Sequence, residues 1–169
     1  PVVFIAYCHP GEIAHDFHTS ILRALLQGKD HGYYSMSVPT YSGVSIAKNR
    51  NKLAAYFLKS PADYLLMCDT DGAWPPEAVA KLIEHDVPIV SGYAMGVDWH
   101  TGAPFAAILD WDENGFPERR ELTDGDKGLI EVGVVGLHFT LIKREVIEAI
   151  GAGPGYPFAA TRLVREKEG

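Results

Sequence analysis

Long apolar runs are absent from this 169-residue sequence: none approaches the ~20 consecutive apolar residues that a membrane-crossing helix needs. The first residues also lack the basic start and small-residue end of a secretory leader, so the default expectation is a soluble, cytoplasmic protein with no membrane span. Cysteine is scarce. The two that occur, Cys8 and Cys68, each lie near the end of an apolar run, and they read as small buried residues rather than a disulfide framework. Positive charge is in deficit, with 15 Lys and Arg against 22 Asp and Glu and a net charge of −7. That balance argues against broad, phosphate-driven binding to nucleic acid. It leaves room for a local groove around Lys48, Arg50, Lys52 and Lys59, and it suits a protein that collects a divalent cation. Internal repeats, low-complexity tracts and linkers are missing as well, and the length is close to the ~150 residues of one domain. One domain over 1–169 is expected, with two unequal halves, 1–93 and 94–169.

What is present is ordinary globular material: 47% hydrophobic and 22% charged residues suffice to bury a core. "VVFIAYCHPG" at the start is a β-branched and aromatic run ended by Pro and Gly, the pattern of a strand buried on both faces. "DFHTSILRALLQG" places Phe17, Ile21 and Leu25, flanked by Leu22 and Leu26, on one helical stripe with Gly28 as the stop. "YYSMSVPT" reads as a second strand. From Ser45 to Leu58, Ile46, Leu53 and Phe57 recur at helical spacing until Ser60-Pro61. Tyr64 to Cys68 is a third strand, Pro75-Pro76 opens a helix with Val79, Leu82 and Ile83 inward, and "VPIVSGY" is a fourth strand. Strand and helix thus alternate three times, which predicts a mainly parallel α/β sheet with right-handed crossovers. Beyond it, "FAAILDW", the turn "DENG", "LIEVGVV" and "HFTLIKREVIEAI" read as shorter strands and a closing helix, with antiparallel pairing. The tail "GAGPGYPFAATRLVREKEG" has no clear period.

The stretch "DYLLMCDTDGAWPPEAV" carries the chemistry. A buried strand ends in carboxylates only where water, a cation or a donor awaits them. Residues i and i+2 of a strand share a side, so Asp69 and Asp71 point together into the crevice where open α/β sheets bind ligands. Two carboxylates there repel unless a cation joins them, and hard oxygen donors suit Mg²⁺ or Mn²⁺ with positions left for phosphate oxygens. The alternative is that both aspartates cap the loop and the following helix.

"YLLMCDTDGAWPPEAVAKLIEHDVPIVSGY", with "SIAKNRNKLAAYFL" before it and "VGVVGLHFTLIKREVIEAI" after it, resembles the GT-A fold glycosyltransferases, in particular small family-2-like enzymes of bacteria and their phages. The resemblance covers roughly residues 2–158 and rests on the order of these three segments. It implies a three-layer α/β/α fold with a mainly parallel sheet and a smaller antiparallel C-terminal part, 1–93 being the nucleotide-binding half and 94–169 the acceptor side. It also implies an enzyme that moves a sugar from a nucleotide-diphosphate donor, a UDP- or GDP-sugar, to a hydroxyl acceptor, either a glycan or, in a phage setting, modified DNA. By resemblance Asp69 and Asp71 hold Mn²⁺ or Mg²⁺ against the diphosphate, Asp69 also meets the ribose, Tyr7, Cys8 and His9 cradle the base, and Arg50-Asn51 contact the donor. An arginine fork suits phosphate oxygens in any case, although a solvated helix charge would look the same in sequence.

His138 departs from the small residues usual in that family. It is a candidate acceptor contact, metal ligand or proton acceptor, with a structural strand-entry histidine as the alternative. An inverting enzyme also wants an acidic base near the C-terminus, where the acids are Glu166 and Glu168. Cys8, His9, His15 and His18 are close enough in sequence for zinc but match no usual zinc spacing. Trp74, Trp99, Trp111 and Tyr93 would suit sugar faces or cover a core edge. Two rival functions stay open: a sugar-nucleotide pyrophosphorylase, although "CHPGEIAHD" lacks the basic, glycine-rich loop, and a non-catalytic nucleotide-sugar or carbohydrate-binding module.

Overall fold

The first strand, β1 (Val2–His9), sorts the core by its alternation. Val3, Ile5 and Tyr7 face one cluster, while Phe4, Ala6 and Cys8 face another. In the computed structural model, which describes residues 1–41, 45–93, 95–97, 100–102, 104–106, 108–123, 125–151 and 158, each cluster is a separate layer. Phe17, Ile21 and Ala24 of α1 (His15–Gln27), with Val79 and Leu82 of α3 (Ala78–Glu84), cover the first face. Leu53, Ala54 and Phe57 of α2 (Ile46–Leu58), with Ile147 of α4 (Arg144–Ile150), cover the second. The fold is mixed α/β with helices on both sides of the sheet. No helix among the described residues is long and apolar enough to cross a membrane.

β1 pairs in parallel with β2 (Tyr34–Tyr41) on one side and with β3 (Tyr64–Cys68) on the other. β9 (Phe139–Lys143) lies antiparallel between β3 and the short edge strand β4 (Ile89–Ser91), giving the order β2-β1-β3-β9-β4. The expected antiparallel pairing of the second half occurs in two small two-stranded pairs and also inside the main sheet, where a strand from 94–169 completes the sheet that 1–93 begins. Arg144 secures this arrangement. Its guanidinium donates to the Phe57, Ser60 and Ala62 carbonyls at 3.2, 2.7 and 2.8 Å, joining the Ser60 N–H and hydroxyl that also donate to the Phe57 carbonyl at the end of α2.

Several expectations are corrected. The buried stripe of α1 is Phe17, Ser20, Ile21 and Ala24, and Leu22, Leu25 and Leu26 face outward. Gly28 continues into a 3₁₀ turn pressed against Tyr33, where an added Cβ would sit 2.8 Å from the ring. Ile46 is exposed, and α2 starts from a Ser45 cap whose hydroxyl accepts from the Lys48 N–H. "FAAILDW" splits into β6 (Pro104–Ala106), paired with β5 (Met95–Val97), and β7 (Leu109–Trp111), paired with β8 (Pro117–Arg119). The expected turn between β7 and β8 is present: Asp112 Oδ1 accepts from the Asn114 and Phe116 N–H groups. "LIEVGVV" forms no strand and contributes one isolated bridge, Val134 to Leu109.

Candidate metal and phosphate site

β3 ends at Cys68, so Asp69 lies one residue past the strand and Asp71 sits on the following turn. The two carboxylates are thus presented by a loop and not by strand alternation, which corrects the i, i+2 expectation. The loop is fixed at both ends. The Asp69 N–H donates to the His138 carbonyl at 2.9 Å, extending the β3–β9 ladder by one step. At the other end the Ser20 hydroxyl accepts from the Trp74 N–H at 3.0 Å and lies 3.0 Å from the Trp74 carbonyl. Trp74 itself is buried, with its ring 5.5 Å from Phe17 and 4.8 Å from Phe139. It anchors the loop to the core and is not a sugar platform.

Leu65 and Met67 face the α2 layer, and the same parity carries Asp69 toward α2. There Arg50 Nη2 meets Asp69 Oδ1 at 2.7 Å, with side chains 21% and 45% exposed. Asp71 is exposed and has no hydrogen-bond or ionic partner among the described residues. Of the basic cluster only Arg50 turns to the acids. Lys48, Lys52 and Lys59 are exposed, with Lys52 over the Tyr56 ring.

The other predicted residues divide. Tyr7 is buried, edge-on to Phe17 at 5.0 Å, and is a core residue rather than an open wall for a base. Cys8 is half-buried beside the ion pair: burial pushes its thiol up, Arg50 pulls it down and Asp69 pushes it up, so the net effect keeps it protonated. Burial pushes the Cys68 thiol well up. His9 reaches the site's rim, its Nδ1 accepting from the Gly11 N–H at 3.2 Å. Asn51 is buried and fully engaged elsewhere, with Nδ2 donating to the Phe158 carbonyl at 3.0 Å and Oδ1 accepting from the Phe158 N–H at 2.7 Å. Its expected donor contact becomes a clasp on the chain near residue 158. His138 supplies its carbonyl to Asp69, while its buried Nε2 has no partner among the described residues. Glu166, Glu168 and Trp99 lie outside the described residues, and Trp111 and Tyr93 are exposed.

One residue was not foreseen. Tyr41 ends β2 in register with His9, is 62% exposed and stands edge-on to the His9 ring at 6.0 Å. An aromatic closing the second parallel strand, at the same end as the acids, was the available signal. Together Tyr41, His9, Arg50, Asp69 and Asp71 occupy the carboxyl ends of three parallel strands and the loops and helix beside them, where open α/β sheets bind ligands. No group of three His, Cys, Asp or Glu suited to a metal occurs among the described residues, which leaves the Cys8–His18 segment without a zinc triad. No family model matches the chain, and a search of curated proteins returns no match.

Proposed function

We propose that this chain is a metal-dependent glycosyltransferase of the GT-A kind, moving a sugar from a UDP- or GDP-sugar to a hydroxyl acceptor. The observation that carries this reading is the pairing of a half-exposed Asp69, held by Arg50, with an exposed Asp71, unpartnered among the described residues, at the carboxyl ends of the parallel strands β1, β2 and β3. The donor set fits Mg²⁺ or Mn²⁺: the Asp71 carboxylate and the second Asp69 oxygen are hard ligands, and such ions take their remaining positions from water and substrate phosphate. When bound, the ion neutralises charge growing on the departing diphosphate. Arg50 adds a fixed positive charge beside it and keeps Asp69 oriented. The His9 and Tyr41 rings offer faces and edges for the base, and fixing the nucleotide there positions the sugar for transfer.

The test is a panel of UDP-, GDP- and dTDP-sugars with Mn²⁺, scored by free diphosphate. At least one donor is expected to be turned over, and Asp71→Ala is expected to abolish release while leaving the circular dichroism spectrum unchanged. Unchanged turnover in that variant removes Asp71 from the mechanism. Pyrophosphate-dependent formation of UTP or GTP would instead identify a pyrophosphorylase. Donor binding that never leads to release would identify a binding module.

A further inference from the structure

A cleft of about 990 Å³ opens between the edge strand β4 and the irregular segment 128–136. It is a different space from the acidic loop, yet His138 belongs to both: its carbonyl accepts the Asp69 N–H, and the residue also lines the cleft. The turn that delivers His138 is built from a buried polar network. Thr140, fully buried, donates to the Gly136 carbonyl at 2.6 Å and shares a 2.8 Å hydrogen bond with the Ser91 hydroxyl. A Cβ at Gly136 would sit 3.0 Å from His138 Nδ1, a tight contact that glycine avoids. So ordered a turn ends in a ring whose buried Nε2 finds no partner among the described residues, and a buried polar atom left alone costs roughly 1–3 kcal/mol.

The walls define what the cleft would accept. Val87, Ile89, Leu129 and Val135 are among a mostly apolar lining, and the exposed Tyr93 stands at its side. Among the described residues no lysine or arginine lines it, while Asp126 and Glu131 do. The Thr123 backbone N–H and hydroxyl hold the Asp126 carboxyl below its usual range, and Arg120 Nη2 meets Asp126 Oδ1 at 2.7 Å, so the charge on that wall is paired. Among the described residues the lining thus offers no lysine or arginine to a polyanion such as DNA, and an oligosaccharide would leave most of its hydroxyls facing aliphatic side chains. The volume is that of a small-molecule site.

From these observations we infer that the cleft takes the acceptor, and that the acceptor is a neutral alcohol with an apolar or aromatic body, its hydroxyl at the His138 end next to the Asp69 loop. The acceptor role rests on the glycosyltransferase reading, whereas the chemistry of the ligand rests on the cleft alone. A small turn of the His138 ring gives Nε2 to the incoming hydroxyl.

The full chain, without donor or metal, is titrated with 2-naphthol, with maltotriose and with a thymidine oligonucleotide, following NMR shifts. Saturable binding of 2-naphthol alone is expected, weakened at least tenfold by Val135→Asp and by Ile89→Asp. Both replace exposed side chains, so each is expected to fold. His138→Ala is expected to weaken 2-naphthol more than naphthalene. The inference is overturned if 2-naphthol does not saturate, if both aspartate variants bind it as the wild type does, or if maltotriose or the oligonucleotide binds in its place. Because no donor is present, these outcomes are independent of diphosphate release, whose absence would count against the transferase reading alone.

Discussion

Arg50 meets Asp69 at 2.7 Å in a partly solvated pair, and pairs of that exposure contribute only about 0–1 kcal/mol to stability. The contact is therefore better understood as orientation: it holds a carboxylate at the end of a buried strand and keeps a guanidinium beside the place where phosphate would lie. Arg50→Ala is expected to change unfolding free energy by less than about 1 kcal/mol. On the proposed function the same variant would also lose a charge-assisted hydrogen bond to the donor, worth roughly 1.5–3 kcal/mol, and is expected to bind the donor about 10- to 100-fold more weakly. Calorimetric titration of UDP or GDP with Mn²⁺ checks this, and wild-type affinity in the variant would remove Arg50 from the site.

At the scale of elements, α2 is the hub. Its N-terminal half carries Arg50 toward Asp69, its C-terminal carbonyls are closed by Arg144 from the β9–α4 junction, and Asn51 grips Phe158 through both ends of its amide. Asn51→Ala removes two hydrogen bonds and leaves the Phe158 main chain without its side-chain partner, an expected loss of about 1–3 kcal/mol in chemical denaturation with donor affinity little changed. A large loss of donor affinity at unaltered stability would return Asn51 to the donor site. β1, α2 and β3 were legible in sequence because a continuous apolar run and a helical period are local signals. The α1 stripe was misplaced because a leucine-rich helix offers two apolar faces, and only packing on the sheet selects the one with the smaller Ser20 and Ala24. β9 was legible as a strand, but its insertion between β3 and β4 was not, because pairing partners are a non-local property. Among site residues, the acids and Arg50 stood out as polar groups at the ends of apolar elements. Asn51 and Trp74 look the same in sequence whether they meet a ligand or the core.

For the whole molecule, two apolar layers on either face of one sheet hold the strand ends in register, and that register is what brings residues from β1, β2 and β3 to a single rim. One defect in the core is testable. Tyr33 is 1% exposed and its hydroxyl has no partner among the described residues, and burial pushes its phenol above the ordinary value of 10.0. An acid whose pKa is raised by folding stabilises the fold below the unfolded value and loses that contribution as pH climbs through the folded one. Tyr33→Phe removes the stranded hydroxyl and is expected to raise stability by about 1 kcal/mol near neutral pH. Its advantage over the wild type should widen above pH 10 in denaturation curves. A destabilised variant, or a gap that stays constant with pH, would contradict this account of the site.

On the proposed function Asp69 and Asp71 grip a cation together with a nucleotide diphosphate, and Mn²⁺ paramagnetic resonance reads that event without any need for turnover. Titrating Mn²⁺ into the protein with UDP, GDP or dTDP present should deplete the free-ion signal beyond what the nucleotide achieves by itself, and Asp71→Ala should abolish the extra depletion. A free-ion signal that the wild-type protein leaves untouched with all three nucleotides would contradict the account.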